Sequence, residues 1–256
     1  MDLHIFDSNV LLGQRMADRN FVFETPEELL GEMDRYNISQ CLVHHIIAKK
    51  NNPIKGNELL VQTIQPHANR LIPCWVILPH YTGESEPPTI LIEKMKAQYV
   101  HSVRIFPNSF NVELHLWLWK ELLEELAQHR IPLFLDFETK NWSTPWNWEQ
   151  IHELVRTFPE LPVVLVRAGA LANRYLYYFL DRFPNLYVEI SYYQNNNVIV
   201  DVTRRFGAEK LIYGSGMPVY DPRFALSAIE YADLTSEDKA KVVGGNLRKL
   251  IKGVRW

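Results

Sequence analysis

A few ionisable residues close short apolar runs, where side chains converge on a pocket. Asp136 ends Leu133-Phe134-Leu135, and Arg167 ends Val164-Leu165-Val166. On adjacent strands at equal height they would form a charge-assisted pair. Two readings follow. Either the pair fills the pocket, or Arg167 grips a substrate carboxylate while Asp136 moves protons. An arginine so close lowers the carboxyl pKa and weakens it as a base at neutral pH. Arg104, in Val103-Arg104-Ile105, adds a second guanidinium if it points inward, and two such forks suit a carboxylate or a phosphate.

His44 and His45 are consecutive in one apolar run, so period-two alternation turns one inward and one outward. His45 is taken as the tentative acid-base residue, the alternative being a hydrogen-bonded core histidine. Glu189, between Val188 and Ile190, needs a partner when buried, and Arg167 or Arg104 could supply it. Asn9, Tyr192 and Trp142 complete the candidate binding set. Trp142, Trp146 and Trp148 either lid the pocket and stack on a planar ligand or pack a subunit contact. Ser8, Ser191 and Ser215 have no His-Asp companions at a recognisable spacing.

Eight apolar runs must position these groups: residues 3–7, 40–46, 71–78, 100–106, 132–137, 162–166, 186–190 and 210–214. Continuous apolar runs fit parallel strands covered on both faces. Helix-period segments lie between them. Thr25-Pro26-Glu27-Glu28 carries a cap, a first-turn proline and acids. Residues 112–129 place Leu114, Leu118, Leu122 and Ala127 on one stripe. The expected fold class is α/β, a (β/α)8 TIM barrel forming one domain over 1–256. A doubly wound open sheet is the alternative, but no glycine-rich phosphate loop follows the first strand.

The chain has 256 residues, 47% of them hydrophobic, enough for one barrel. A net charge of -3 with no basic run argues against a nucleic-acid partner. Cys41 and Cys74 sit in apolar runs and read as buried core. No apolar run reaches the roughly 18 residues that span a bilayer, and no basic, apolar leader opens the chain. A cytoplasmic location without membrane association is expected.

Ile5-Phe6-Asp7-Ser8-Asn9-Val10-Leu11-Leu12-Gly13 resembles the first strand of a metal-dependent hydrolase. So do Arg167-Ala168-Gly169, the run from Phe183 to Glu189, the run from Leu211 to Pro218, and Gly244-Gly245-Asn246-Leu247-Arg248. Together they are similar to the amidohydrolase-related (amidohydrolase 2) family of TIM-barrel hydrolases, over nearly the whole chain. The resemblance implies metal ligands at 9, 11, 136, 167 and 216. Here those positions hold Asn9, Leu11, Asp136, Arg167 and Gly216. A zinc site needs three or four converging donors, and only Asp136 qualifies. No metal and no other cofactor is therefore expected. The first expectation is a non-catalytic barrel that binds a small ligand, a carboxylate among the candidates, or a protein partner. The alternative is a metal-independent hydrolase, lyase or decarboxylase for a small anionic or aromatic carboxylate. A metal site rebuilt from His45, His80 and Asp136 is the weakest reading. The resemblance also implies a homo-oligomer.

Overall fold

The computed structural model describes residues 4–14, 22–138, 146–193 and 195–256. The apolar runs form parallel strands: β1 (Ile5–Leu12), β2 (Ile38–His45), β3 (Leu71–Pro73), β4 (Trp75–Val76), β5 (Val103–Ile105), β6 (Leu133–Leu135), β7 (Val163–Leu165), β8 (Leu186–Glu189) and β9 (Leu211–Ile212). β1, β2 and β3 pair in order, and so do β4 through β9. β3 and β4 are two halves of one stave. At the break, Cys74 N–H donates to Val43 O at 2.8 Å, while Trp75 N–H donates to Ser102 O at 3.2 Å. The stave thus hands over from one neighbour to the next. The wall closes where Ser8 N–H donates to Tyr213 O and Leu11 N–H to Met217 O, with a parallel bridge between Val10 and Met217. Eight staves in a closed parallel wall make the fold a (β/α)8 barrel.

Period-two alternation divides the side chains. Val103, Ile105, Leu133, Leu135, Val163, Leu165, Leu186 and Val188 join the large cluster with the helices. Phe6, Leu42, Cys74, Phe134, Val164 and Ile212 form a second cluster inside the wall. Cys41 belongs to the outer cluster and Cys74 to the inner one, and both are buried free thiols.

Five of the eight expected strands, the fourth to the eighth, are trimmed at their ends, the third is broken, and the second runs over Ile38–His45 instead of 40–46. β1 runs to Leu12 instead of stopping at Asp7. Its polar stretch stays in the wall because Asp7 Oδ1 accepts from Asn9 N–H and Ser215 N–H, both at 2.9 Å. The helix Pro26–Arg35 starts at the expected capping box, with Thr25 and Glu28 exchanging hydrogen bonds. In Leu116–Gln128 the core stripe is Trp119, Leu122, Leu123 and Leu126, while Leu118 and Ala127 lie at its edge. The helices Pro53–Ile64, Pro88–Ala97 and Val198–Phe206 had not been expected. Among the described residues no helix is long and apolar enough to cross a membrane.

Asn57 secures the broken stave. Its amide donates to Val76 O at 2.8 Å and accepts from Val76 N–H at 3.0 Å, as a neighbouring strand would. Asn57→Ala strands both backbone groups in the core. A stability loss of about 2–4 kcal/mol is expected in urea unfolding, and a loss below about 0.5 kcal/mol would show that Asn57 does not hold the stave.

Candidate active site at the barrel mouth

The C-terminal ends of the strands bring Asn9, His44, Arg104, Asp136, Arg167 and Glu189 to one end of the cylinder. Asp136 is the hub and is fully buried. Arg104 Nη2 donates to its Oδ2 at 2.6 Å, and Arg167 Nη2 to Oδ1 and Oδ2 at 2.7 and 2.8 Å. Glu138 N–H donates to Oδ1 at 2.9 Å. Burial opposes the Asp136 charge, but Arg167, Arg104 and Lys49 outweigh it and hold the carboxyl well below its usual range. Arg104 therefore points inward and is almost wholly buried, with its Nε making no hydrogen bond. Arg167 and Glu138 are non-glycine residues at φ +57° and +49°. Such backbone strain concentrates at functional sites, and contacts to Asp136 and Glu189 hold it here.

A second carboxyl lies across the mouth. Glu189 Oε1 accepts from Ser191 N–H at 2.7 Å. Its Oε2 accepts from Ser191 Oγ at 2.9 Å, Arg167 N–H at 3.2 Å and Asn9 Nδ2 at 3.4 Å. Arg167 thus gives Glu189 a backbone hydrogen bond, and the Arg104 and Arg167 guanidiniums add their charge. Burial pushes Glu189 up to about 7, against the pull of these bonds. Gly214 makes room for it, since a Cβ there would stand 2.1 Å from Glu189 Oε1. Asn9 Nδ2 also donates to Ser191 Oγ at 3.2 Å.

His45 caps the helix Ile46–Lys50, with its Nδ1 accepting from Ile47 N–H at 3.2 Å. The ring that meets the charged cluster is that of His44. It packs 5.5 Å from Phe106, its Nδ1 makes no hydrogen bond, and it stays neutral because of burial and then the charges of Arg104 and Lys49. Phe106 is a shared wall. Lys49 Nζ lies 4.6 Å and the Arg104 guanidinium 5.2 Å from its ring centre. Lys49 is outside the set expected from the sequence, although a lysine just past a strand end is a signal. It reaches Glu138 at 2.8 Å, and Lys50 meets the same carboxylate at 3.2 Å. Tyr192 stacks on Tyr220 at 5.6 Å, and Tyr220 hydrogen-bonds to Arg167. Trp142 lies outside the described residues. Trp146 and Trp148 stack on each other at 5.7 Å, and Trp148 stacks on Tyr175 at 5.3 Å.

Two outcomes test this geometry. Asp136→Asn keeps the shape but leaves two buried guanidiniums without their anion. A loss of about 3–5 kcal/mol is expected in urea unfolding, and replacing the whole triad by Arg104→Met, Asp136→Leu and Arg167→Met should recover much of it. An Asp136→Asn protein as stable as its parent would refute the hub. The second outcome concerns pH. Glu189 is raised to about 7 and Asp7 to about 6 by burial. Between the ordinary carboxyl range and those values the folded chain holds protons that the unfolded chain has released, so stability falls as pH rises. The melting temperature should drop between about pH 5 and pH 8, and Glu189→Gln should flatten the upper part of that slope. An unchanged slope in that variant would count against a proton on Glu189.

The amidohydrolase family profile matches residues 57–252. No curated protein matches. Solved structures do. An uncharacterised TIM-barrel protein from Bordetella bronchiseptica superposes with a TM-score of 0.77 at 16% identity, covering 98% of this chain and 99% of that one. A 2,6-dihydroxybenzoate decarboxylase from Rhizobium gives 0.73 at 12%, covering 97% and 98%. A probable 2-pyrone-4,6-dicarboxylic acid hydrolase from Acinetobacter baumannii, with citric acid bound, gives 0.67 at 16%, covering 97% and 99%. At such identities the structural likeness establishes the shared barrel. With the profile matching well over half of its length, the chain belongs to the amidohydrolase family.

Proposed function

We propose that the barrel mouth binds a small ring-borne carboxylate and transforms it by proton transfer, without a divalent cation. The observation that carries this reading is Arg104. One terminal nitrogen sits on Asp136, while Nε is buried with no hydrogen-bond partner. Two guanidiniums share the single Asp136 carboxylate, and a ligand carboxylate at the mouth would supply the second anion. Lys49 and Arg167 add positive charge, His44 offers an unpaired Nδ1, and Phe106 supplies a flat apolar wall. The names of the solved relatives point the same way: dihydroxybenzoate and carboxyvanillate decarboxylases and a probable pyrone-dicarboxylate hydrolase.

The residues do not suit a divalent metal. Among the described residues no three His, Cys, Asp or Glu side chains gather closely enough to hold one. Asp136 is engaged by two guanidiniums, which compete with any cation. Asn9 turns its amide nitrogen to Glu189 and Ser191, and Gly216 has no side chain.

Proton handling falls to Glu189. Asp136 is locked in its ionised form and is a poor base. Glu189, near neutrality, exists in both forms around pH 7. In a decarboxylation the bond from ring carbon to carboxyl breaks, carbon dioxide leaves, and the electron pair left on the ring carbon takes the proton that Glu189 carries. The same locked Asp136 favours a second reading, in which the carboxylate binds without turnover.

The test uses protein treated with a chelator and 2,6-dihydroxybenzoate as probe. Calorimetry should show binding, weakened roughly tenfold by Arg104→Met. Carbon dioxide release should fall as pH rises through about 7, when Glu189 loses its proton, and Glu189→Gln should abolish it. Binding without release supports the second reading. Release that needs added Mn2+ or Zn2+ would overturn metal independence.

A further inference from the structure

The other end of the barrel holds a cavity of about 870 Å3, within the range of small-molecule sites. Phe6 and Leu71 from the strand starts, Ile72, and Val61, Ile64 and Ile251 from the helices give it an apolar lining. Arg248 and Lys252 also line it, one turn apart on the closing helix Asn246–Lys252. Among the described residues no aspartate or glutamate does. The floor of a barrel is ordinarily a packed layer of side chains.

Arg248 is the unusual group. It belongs to the Gly-Gly-Asn-Leu-Arg segment, which the site at the mouth does not use. The guanidinium lies 5.5 Å from the centre of the Phe6 ring. Gly244 allows this close seat, because a Cβ there would stand 2.6 Å from Arg248 Nη1 and 2.6 Å from His4 O. Arg104 and Arg167, the other inward arginines, each meet a carboxylate. Arg248 meets none among the described residues, and burial alone lowers its pKa. Nearby His101 is already engaged, its Nδ1 with Tyr99 O and its Nε2 with Trp256 Nε1. A half-buried guanidinium on an apolar wall, with no carboxylate beside it among the described residues, is an incomplete pair.

We infer that this cavity binds a carboxylate carried on a single aliphatic chain. The head group sits on the Arg248 fork with Lys252 adding charge, and the chain runs along Phe6, Ile72 and Ile251. The fork geometry suits a carboxylate better than a neutral head. The concave, mostly apolar shape suits a small molecule better than a protein segment. This inference is independent of the chemistry proposed at the mouth.

Octanoate is the probe, titrated into the whole protein by calorimetry, with octan-1-ol as the uncharged comparison. Octanoate should bind saturably, octan-1-ol more weakly, and Arg248→Met should weaken octanoate roughly tenfold while leaving octan-1-ol unchanged. Ile72→Trp, which keeps Arg248 and fills the cavity, should abolish both and guards against a folding defect in the first variant. Arg167→Met, at the opposite end, should leave octanoate affinity unchanged. Three results would overturn the inference: no saturable octanoate binding to the parent, affinity indifferent to both Arg248→Met and Ile72→Trp, or affinity lost in Arg167→Met, which would place the ligand at the mouth.

Discussion

Asp136 draws two arginines onto one buried carboxylate, and the barrel mouth is organised around that contact. The three side chains come from consecutive staves, β5, β6 and β7; the register aligns Arg104 with Phe134 and Val164, so Arg104 rises from two residues below Asp136 while Arg167 descends from one residue above it. A charge taken out of water this far is tolerated only with such partners. The consequences spread outward. Asp136 stays ionised, Glu138 is held in a left-handed turn by its backbone bond to Asp136, and Arg167 is fixed where its N–H can reach Glu189. The two carboxyls therefore have opposite characters within one pocket. One is a permanent anion, and the other titrates near neutrality. Environment, not residue type, sets that division.

Much of this was legible in the sequence because of how parallel strands are buried. Covered on both faces, they read as apolar runs, and all eight staves emerge from that signal. The upper half of β1 did not, because Asp7, Ser8 and Asn9 interrupt the run. Only the three-dimensional partners of Asp7 reveal why polar residues stay in the wall. The helix Val198–Phe206 opens on Val-Ile-Val, a β-branched run that reads as strand. Asn52 and Pro53 gave a usable start signal for the helix Pro53–Ile64, in which the Asn52 side chain caps Lys55 N–H.

At the mouth, adjacency of strands was enough to foresee the Asp136–Arg167 pair, and alternation left Arg104 open in direction only. The phase of His44 and His45 could not be fixed from period two, since either assignment satisfies it. Leu42 in the inner cluster fixes it, because His44 shares its face. The Glu189 partners could not be read at all. Ser191 is two residues away, but Asn9 is 180 residues distant and meets it only when the barrel closes.

The same alternation has a consequence for the two thiols. Cys41 and Cys74 lie on neighbouring staves yet on opposite sides of the wall, one toward the helices and one toward the axis. No disulfide can cross a layer of backbone whose hydrogen bonds are intact. With no other cysteine in the chain, an oxidising environment has no internal crosslink to form. The fold is thereby indifferent to thiol-disulfide poise for as long as it stays folded.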